Sequence, residues 1–370
     1  MKTLVPGHIA ALKPYQPGKP IEEVERELGI AGVVKLASNE NPLGPSLKAV
    51  EAARLALAEV HRYPDGSAYY LRHALAERVG VSPDQVVVGN GSNDLLVLLA
   101  QALLTPDDEA VVGEPAFVVY RLAVQAMGAR VVAVPLRDFT HDLPAMARAV
   151  TERTKLLFIA NPNNPTGTMV GAGEFEALLG ELPDHVVVAM DEAYVEYIER
   201  EDFPDCLAAV RAGRRVVVCR TFSKIYGLAG LRVGYAVAPE PLAAAINQVR
   251  PPFNVSRIAQ AAALAALDDE AHVQASREAN RAGLAQLTAG LEALGVGYVS
   301  SVANFLLVEV GDGRAASEAL LHQGVIVRPM GGYGLEAYVR VSVGTAGENT
   351  RFLDAIEAWR AAAAAAAASS

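Results

Sequence analysis

Short apolar runs rich in β-branched residues recur along this chain, separated by stretches with helical spacing. The runs over 86–89, 109–113, 130–134, 155–160, 185–190 and 215–219 read as strands, and Val216-Val-Val-Cys219 has the unbroken apolar pattern of one buried on both faces. Between them the spacing predicts helices over 95–104, 117–127 and 174–180. Strands alternating with helices predict an α/β fold: a three-layer αβα large domain around a mostly parallel sheet. Ahead of it lie a Pro-rich arm, Lys13-Pro-Tyr-Gln-Pro-Gly-Lys-Pro20, a helix over 21–28, a strand over 33–37 and a helix over 46–60. After Pro251 the pattern changes. One long Ala-rich helix over 256–294 leads to strands near 304–309, 324–328 and 338–343 and a last helix to Arg360, a smaller α+β C-terminal domain. The expected division is an arm over 1–40, a large domain over 41–250, a small domain over 251–360 and an alanine-rich tail over 361–370, whose closing serines carry no assigned role.

Composition narrows the picture. At 370 residues the chain exceeds one ordinary core, in keeping with two domains. A hydrophobic share of 52% with 20% charged residues is that of a packed globular protein. A net charge of -10 argues against nucleic acid or an anionic membrane as the main partner, so any anion site must be a local cluster. The N-terminus lacks the apolar core of a signal peptide, and no run approaches the roughly 20 apolar residues of a membrane span. Cys206 and Cys219 show no metal or redox spacing and suit free thiols in a reducing cytoplasm. No closely spaced histidine pair is present, so no metal is expected.

In a parallel sheet, ligands bind beyond the carboxyl ends of the strands. Four such ends carry polar groups that suit one ligand. Asn90-Gly-Ser-Asn93 opens a helix whose free N–H groups make an anion site, with Ser92 and Asn93 at hand. Asn161-Pro-Asn-Asn-Pro-Thr-Gly167 can present the amide of Asn164. Asp191-Glu-Ala-Tyr194 puts a carboxylate directly after a buried strand, a costly position without a cationic partner. Thr221-Phe-Ser-Lys224 places an amine beyond a fourth strand, with Ser223 before it and Arg232 after it. Each feature alone has an ordinary reading as a helix cap, an Asx turn or a surface lysine. Together they suit a ligand with a phosphate, an aldehyde and a ring nitrogen that prefers to be protonated. Ser92, Asn93, Ser223 and Arg232 would take the phosphate, and Lys224 the aldehyde as a Schiff base. Asp191 would hold the ring nitrogen as a cation, and Asn164 and Tyr194 the ring hydroxyl. That ligand is pyridoxal 5'-phosphate.

These motifs, with Val339-Arg-Val-Ser-Val-Gly344, resemble the fold type I pyridoxal-phosphate aminotransferases. Within that group, Pro14-Tyr-Gln-Pro-Gly-Lys, Ser38-Asn-Glu-Asn-Pro-Leu-Gly44 and Arg62-Tyr-Pro-Asp-Gly66 resemble the histidinol-phosphate aminotransferases. The likeness runs from about Leu4 to Trp359. It implies transfer of an amino group from histidinol phosphate to 2-oxoglutarate in histidine biosynthesis, with Lys224 moving the proton and Asp191 and Tyr194 assisting. It implies that Phe117 stacks on the cofactor ring. Tyr63 would reach the cofactor phosphate of a neighbouring subunit, hence a homodimer. Arg340 would bind a substrate carboxylate, with Tyr15, Arg328 and Asn41 as further substrate contacts. Phe117 and Phe253 stand where some relatives carry tyrosine, which leaves a more apolar pocket and keeps aromatic amino acids as alternative substrates. A plain nucleotide-binding protein lacks support, since the glycine spacing of a dinucleotide or P-loop site is missing.

Overall fold

The computed structural model describes residues 4–15 and 18–368; the first three residues, Gln16 and Pro17 of the Pro-rich arm, and the closing serines lie outside them. Among the described residues the central sheet has seven strands, one more than the hydrophobic pattern predicts. They are β1 (Val86–Gly89), β2 (Glu109–Glu114), β3 (Arg130–Pro135), β4 (Thr154–Ala160), β5 (Val187–Asp191), β6 (Val216–Thr221) and β7 (Gly234–Val237). Their order across the sheet is β1-β7-β6-β5-β4-β2-β3. Only β7 runs antiparallel to its neighbours. Four residues after a Gly-rich segment are too few to show a strand period, which is why β7 escapes the pattern.

The continuous apolar runs are explained by what lies on each face. In β4, Leu157 and Ile159 enter one core while Leu156, Phe158 and Ala160 enter the other. A strand between two helical layers must be apolar at every position. Full burial of each such side chain contributes about 1.5–3 kcal/mol. One layer includes the helices α2 (Ser92–Leu103) and α3 (Val119–Ala126), and the opposite layer packs the helix Tyr69–Val79 and α4 (Arg257–Leu267), which lies along α1 (Leu47–Leu57).

One expectation is corrected. The single helix over 256–294 is two, α4 and α5 (Glu270–Ala293), because Asp269 leaves helical geometry and caps α5 by accepting from the His272 amide. The two cores do not divide at 251. Val255, Ala259, Ala263 and Val273 belong to the core of the central sheet, whereas Leu287 and Leu291 enter a separate core. Helix α5 therefore spans both cores. The second core packs α5 and α6 (Ala346–Ala368) on an antiparallel sheet of β8 (Tyr298–Val299), β9 (Phe305–Glu309), β10 (Arg328–Pro329) and β11 (Tyr338–Ser342), in the order β10-β11-β9-β8. Residues 34–36 join it: Val34–Lys35 pairs with Val325–Ile326, and Leu36 is buried in the same core. No helix among the described residues is long and apolar enough to cross a membrane.

Candidate active site

The carboxyl ends of β1, β4, β5 and β6 converge on a cavity of about 130 Å³. Ser92, Asn93, Phe117, Asn164, Asp191, Tyr194, Ser223, Lys224 and Arg232 all line it. The structure thus brings together nine of the residues that the sequence assigns to one ligand.

Its anion end is built by backbone shape. Gly91 has φ +82 and leads into α2, whose N-terminus has no side-chain cap, so its amides are left for a ligand. A Cβ at Gly91 would stand 2.6 Å from Nη2 of Arg232, and one at Gly234 would stand 2.6 Å from the Ser92 amide. Only glycine lets these segments approach so closely. Arg232 donates to Ser223 Oγ at 3.2 Å and to the Ala229 carbonyl at 3.0 Å, from a left-handed backbone conformation that costs a non-glycine residue about 1–3 kcal/mol. A local strain held in place by the fold is characteristic of a ligand site.

Lys224 stands at the centre. Its Nζ donates to the Ser38 carbonyl at 3.1 Å and lies 5.5 Å from the centre of the Tyr194 ring. Burial, with the Arg340 guanidinium nearby, lowers its ammonium from the usual range to about 8. Neutral amine, the nucleophilic form, is therefore far more abundant near neutrality than on an exposed lysine. Asp191 is pushed the other way. Burial raises its carboxyl to about 6, although Tyr120 donates to Oδ2 at 2.7 Å and the Ala193 amide to Oδ1 at 3.2 Å. Such a carboxylate lacks a full cationic partner, and a protonated ring nitrogen would supply one. Tyr194 accepts from Asn39 Nδ2 at 2.9 Å, and burial pushes its phenol up to about 12, so it remains a donor at neutral pH. A helix N-terminus with Arg232 and Ser223 for a phosphate, an amine for an aldehyde and a buried carboxylate for a ring cation fit pyridoxal phosphate.

Arg340 adjoins this cavity through Asn164, to whose Oδ1 it donates at 2.5 Å, and it also donates to the Ala37 carbonyl at 2.7 Å. Its buried Nε has no hydrogen-bond partner among the described residues. Arg328 and Tyr15 are together, the guanidinium 5.2 Å from the ring centre, in a neighbouring cleft of about 1170 Å³. Tyr63 does not line its own chain's cavity. It is exposed and stacked on Phe253, ring centres 4.9 Å apart. Asn41 does not line the cavity; its amide donates to the Ile225 carbonyl at 2.7 Å and to Ser276 Oγ at 2.8 Å. Asn39, two residues earlier, meets the site through its bond to the Tyr194 phenol. Tyr120 is the other residue the sequence reading lacks, and its position one helical turn after Phe117 is the signal that could have found it.

A three-layer sheet with this amine, carboxylate and anion cradle at its strand ends defines a class of protein. Residues 31–356 match the model of the family described as aminotransferase class I and II, and the chain belongs to that family. Its relatives narrow the class. The chain is 52% identical over 350 residues to histidinol-phosphate aminotransferase 1 of Nitrosococcus oceani, covering 94% of this chain and 95% of that one. It is 51% identical to the histidinol-phosphate aminotransferase of Moorella thermoacetica, covering 94% and 91%. The structure is similar to that of histidinol-phosphate aminotransferase from Sinorhizobium meliloti in complex with pyridoxal-5'-phosphate, with a TM-score of 0.88, 27% identity, and 97% and 98% of the two chains covered.

Proposed function

We propose that this chain uses pyridoxal 5'-phosphate to transfer the amino group of histidinol phosphate to 2-oxoglutarate, giving imidazole-acetol phosphate and glutamate, in histidine biosynthesis. The observation that carries the reading is the placement of Lys224, its amine lowered to about 8, in one cavity with Asp191 and the Arg232 cradle. The names of relatives sharing about half their residues over nearly the whole chain support the substrate. Ser92, Asn93, Ser223 and Arg232 would hold the cofactor phosphate, Asp191 its ring nitrogen, Asn164 and Tyr194 its hydroxyl, and Phe117 one ring face. When bound, the cofactor supplies an electron sink that makes the substrate's α-hydrogen acidic. Lys224 Nζ is the base that takes that proton, and its burial keeps it neutral enough to do so.

The substrate end must serve two different anions. Glutamate brings carboxylates, and histidinol phosphate brings a phosphate ester with no carboxylate. A guanidinium presents a fork to either, which suits Arg340. Arg328 and Tyr15 supply further contacts for a doubly charged phosphate. Phe117 at the cavity wall favours a second reading, transfer from aromatic amino acids. Losing one charge-assisted contact costs about 1.5–3 kcal/mol, roughly ten- to a hundredfold in kcat/KM. Arg328→Ala should therefore depress kcat/KM for histidinol phosphate by that factor and leave phenylalanine nearly unchanged. Equal losses on both donors would show that Arg328 does not read the phosphate. A wild type that prefers phenylalanine would favour the second reading.

The chain is also proposed to act as a homodimer in the cytoplasm. Leu47, Leu55, Tyr63, Tyr70 and Phe253 are exposed apolar or aromatic side chains on or near α1 and the turns beside it. A second copy covering them would bring Tyr63 to the neighbouring site. Cys206 and Cys219 are buried free thiols, in keeping with a reducing compartment.

A further inference from the structure

Tyr120 is fully buried beneath the cavity, and its phenol donates to Oδ2 of Asp191 at 2.7 Å. Its ring is fixed from two sides. It stacks on Phe158 with centres 5.1 Å apart and planes 15° apart, and it meets Phe117 edge-on at 5.8 Å. The same side chain therefore touches the wall expected to stack on a planar ligand and the carboxylate expected to hold its ring nitrogen. Burial raises the phenol far above its usual range, so it stays protonated and acts as a standing donor. The remaining oxygen of Asp191 has one longer contact, from the Ala193 amide.

A proton shared between a carboxylate and a ring nitrogen sits on whichever group is the better base in that site. A neutral donor bonded to the carboxylate stabilises its anionic form and weakens it as a base. We propose that Tyr120 is a positioning residue that fixes the rotamer of Asp191 and keeps the shared proton on the ring nitrogen rather than on the carboxylate. This rests on the proposed binding of pyridoxal phosphate at Asp191. Proton number is conserved: the phenol keeps its hydrogen, and only the proton between Asp191 and the ring changes place.

The test is a nitrogen NMR spectrum of the holoenzyme loaded with cofactor labelled at its ring nitrogen, together with steady-state kinetics. Tyr120→Phe removes the hydroxyl and keeps the stacking ring. Its ring-nitrogen signal should move toward that of a neutral pyridine, with kcat down about ten- to a hundredfold and KM little changed. A ring-fluorinated tyrosine at position 120 is a stronger donor of nearly the same shape, and its signal should move the opposite way. Phe158→Leu should lower Tm and leave the signal where it is. Signals unmoved by both changes at position 120 would overturn the role of Tyr120, as would an equal displacement in Phe158→Leu. A wild type that yields no bound-cofactor signal at all would instead overturn the functional reading beneath it.

Discussion

At the scale of single residues, the site depends on two groups driven in opposite directions by one cause. Burial penalises charge, so it lowers the ammonium of Lys224 to about 8 and raises the carboxyl of Asp191 to about 6. The consequence for Lys224 has a definite sign. Its amine reacts only when neutral, so capture of pyridoxal phosphate by the apo chain should accelerate as pH rises through about 8 and level off above it. An unburied lysine would keep accelerating toward pH 10.4, roughly the ordinary lysine value. Stopped-flow absorbance across this range distinguishes the two, and a rate still climbing above pH 10 would remove the burial account. Lys224→Ala should show no covalent capture at any pH. Much of this was legible in the sequence, because Lys224, Asp191 and Ser92 each follow a strand end marked by its apolar run. Asn39 and Tyr120 were not. Asn39 and Asn41 lie two apart in one polar turn, and sequence spacing cannot say which of them bonds to Tyr194. The fold decides it through the left-handed backbone at Asn39 and the engagement of Asn41 with Ile225 and Ser276.

At the scale of elements, the strands were readable and their joints less so. Runs buried on both faces announce themselves, whereas β7 is too short and α4 and α5 meet within an Ala-rich stretch where helical spacing continues across the break. What holds the strand ends in register also lay outside the pattern. Asp191 pairs with Cys219 across β5 and β6, so the next residues, Glu192 and Arg220, fall side by side on the opposite face. Arg220 donates through Nε and Nη2 to one oxygen of Glu192, at 2.9 and 2.7 Å, with Glu192 only 1% exposed. This ion pair ties the end of β5, at Asp191, to β6, which leads into Lys224. Breaking a buried pair from one side leaves an uncompensated charge, at a cost of about 3–5 kcal/mol. Arg220→Ala should therefore lower stability by that amount in urea unfolding. Replacing both partners with apolar residues of similar volume, Glu192→Leu with Arg220→Met, should cost distinctly less. Equal losses for the single and double variants would mean that the pair contributes through packing alone.

At the scale of the whole molecule, one chain gathers Lys224, Asp191 and Arg232 in its cavity, while an aromatic pair stands apart from it on the surface. Tyr63 and Phe253 are stacked on each other on the surface, 79% and 45% exposed, and an aromatic pair left this open is costly unless another surface covers it. Phe253 holds a left-handed backbone, φ 59, and its ring lies 3.3 Å from where a Cβ on Gly66 would stand. The pair is thus presented outward by two local constraints, without serving its own chain's cavity. In the proposed dimer each Tyr63 would serve the neighbouring cavity, where Arg232 and Ser223 await a phosphate. A hybrid experiment follows from this geometry. A chain bearing Lys224→Ala and a chain bearing Tyr63→Ala are each impaired at both sites of their own homodimers. In a mixed dimer, the site that holds Lys224 belongs to the Tyr63→Ala chain and receives an intact Tyr63 from its partner. Mixing the two after reversible dissociation should therefore restore activity, up to about half that of the wild type for each mixed dimer. If Tyr63 acted within its own chain, every mixed dimer would hold one site lacking Lys224 and one lacking Tyr63, and mixing would restore nothing. Sedimentation that finds a fully active monomer would refute the composite site at once.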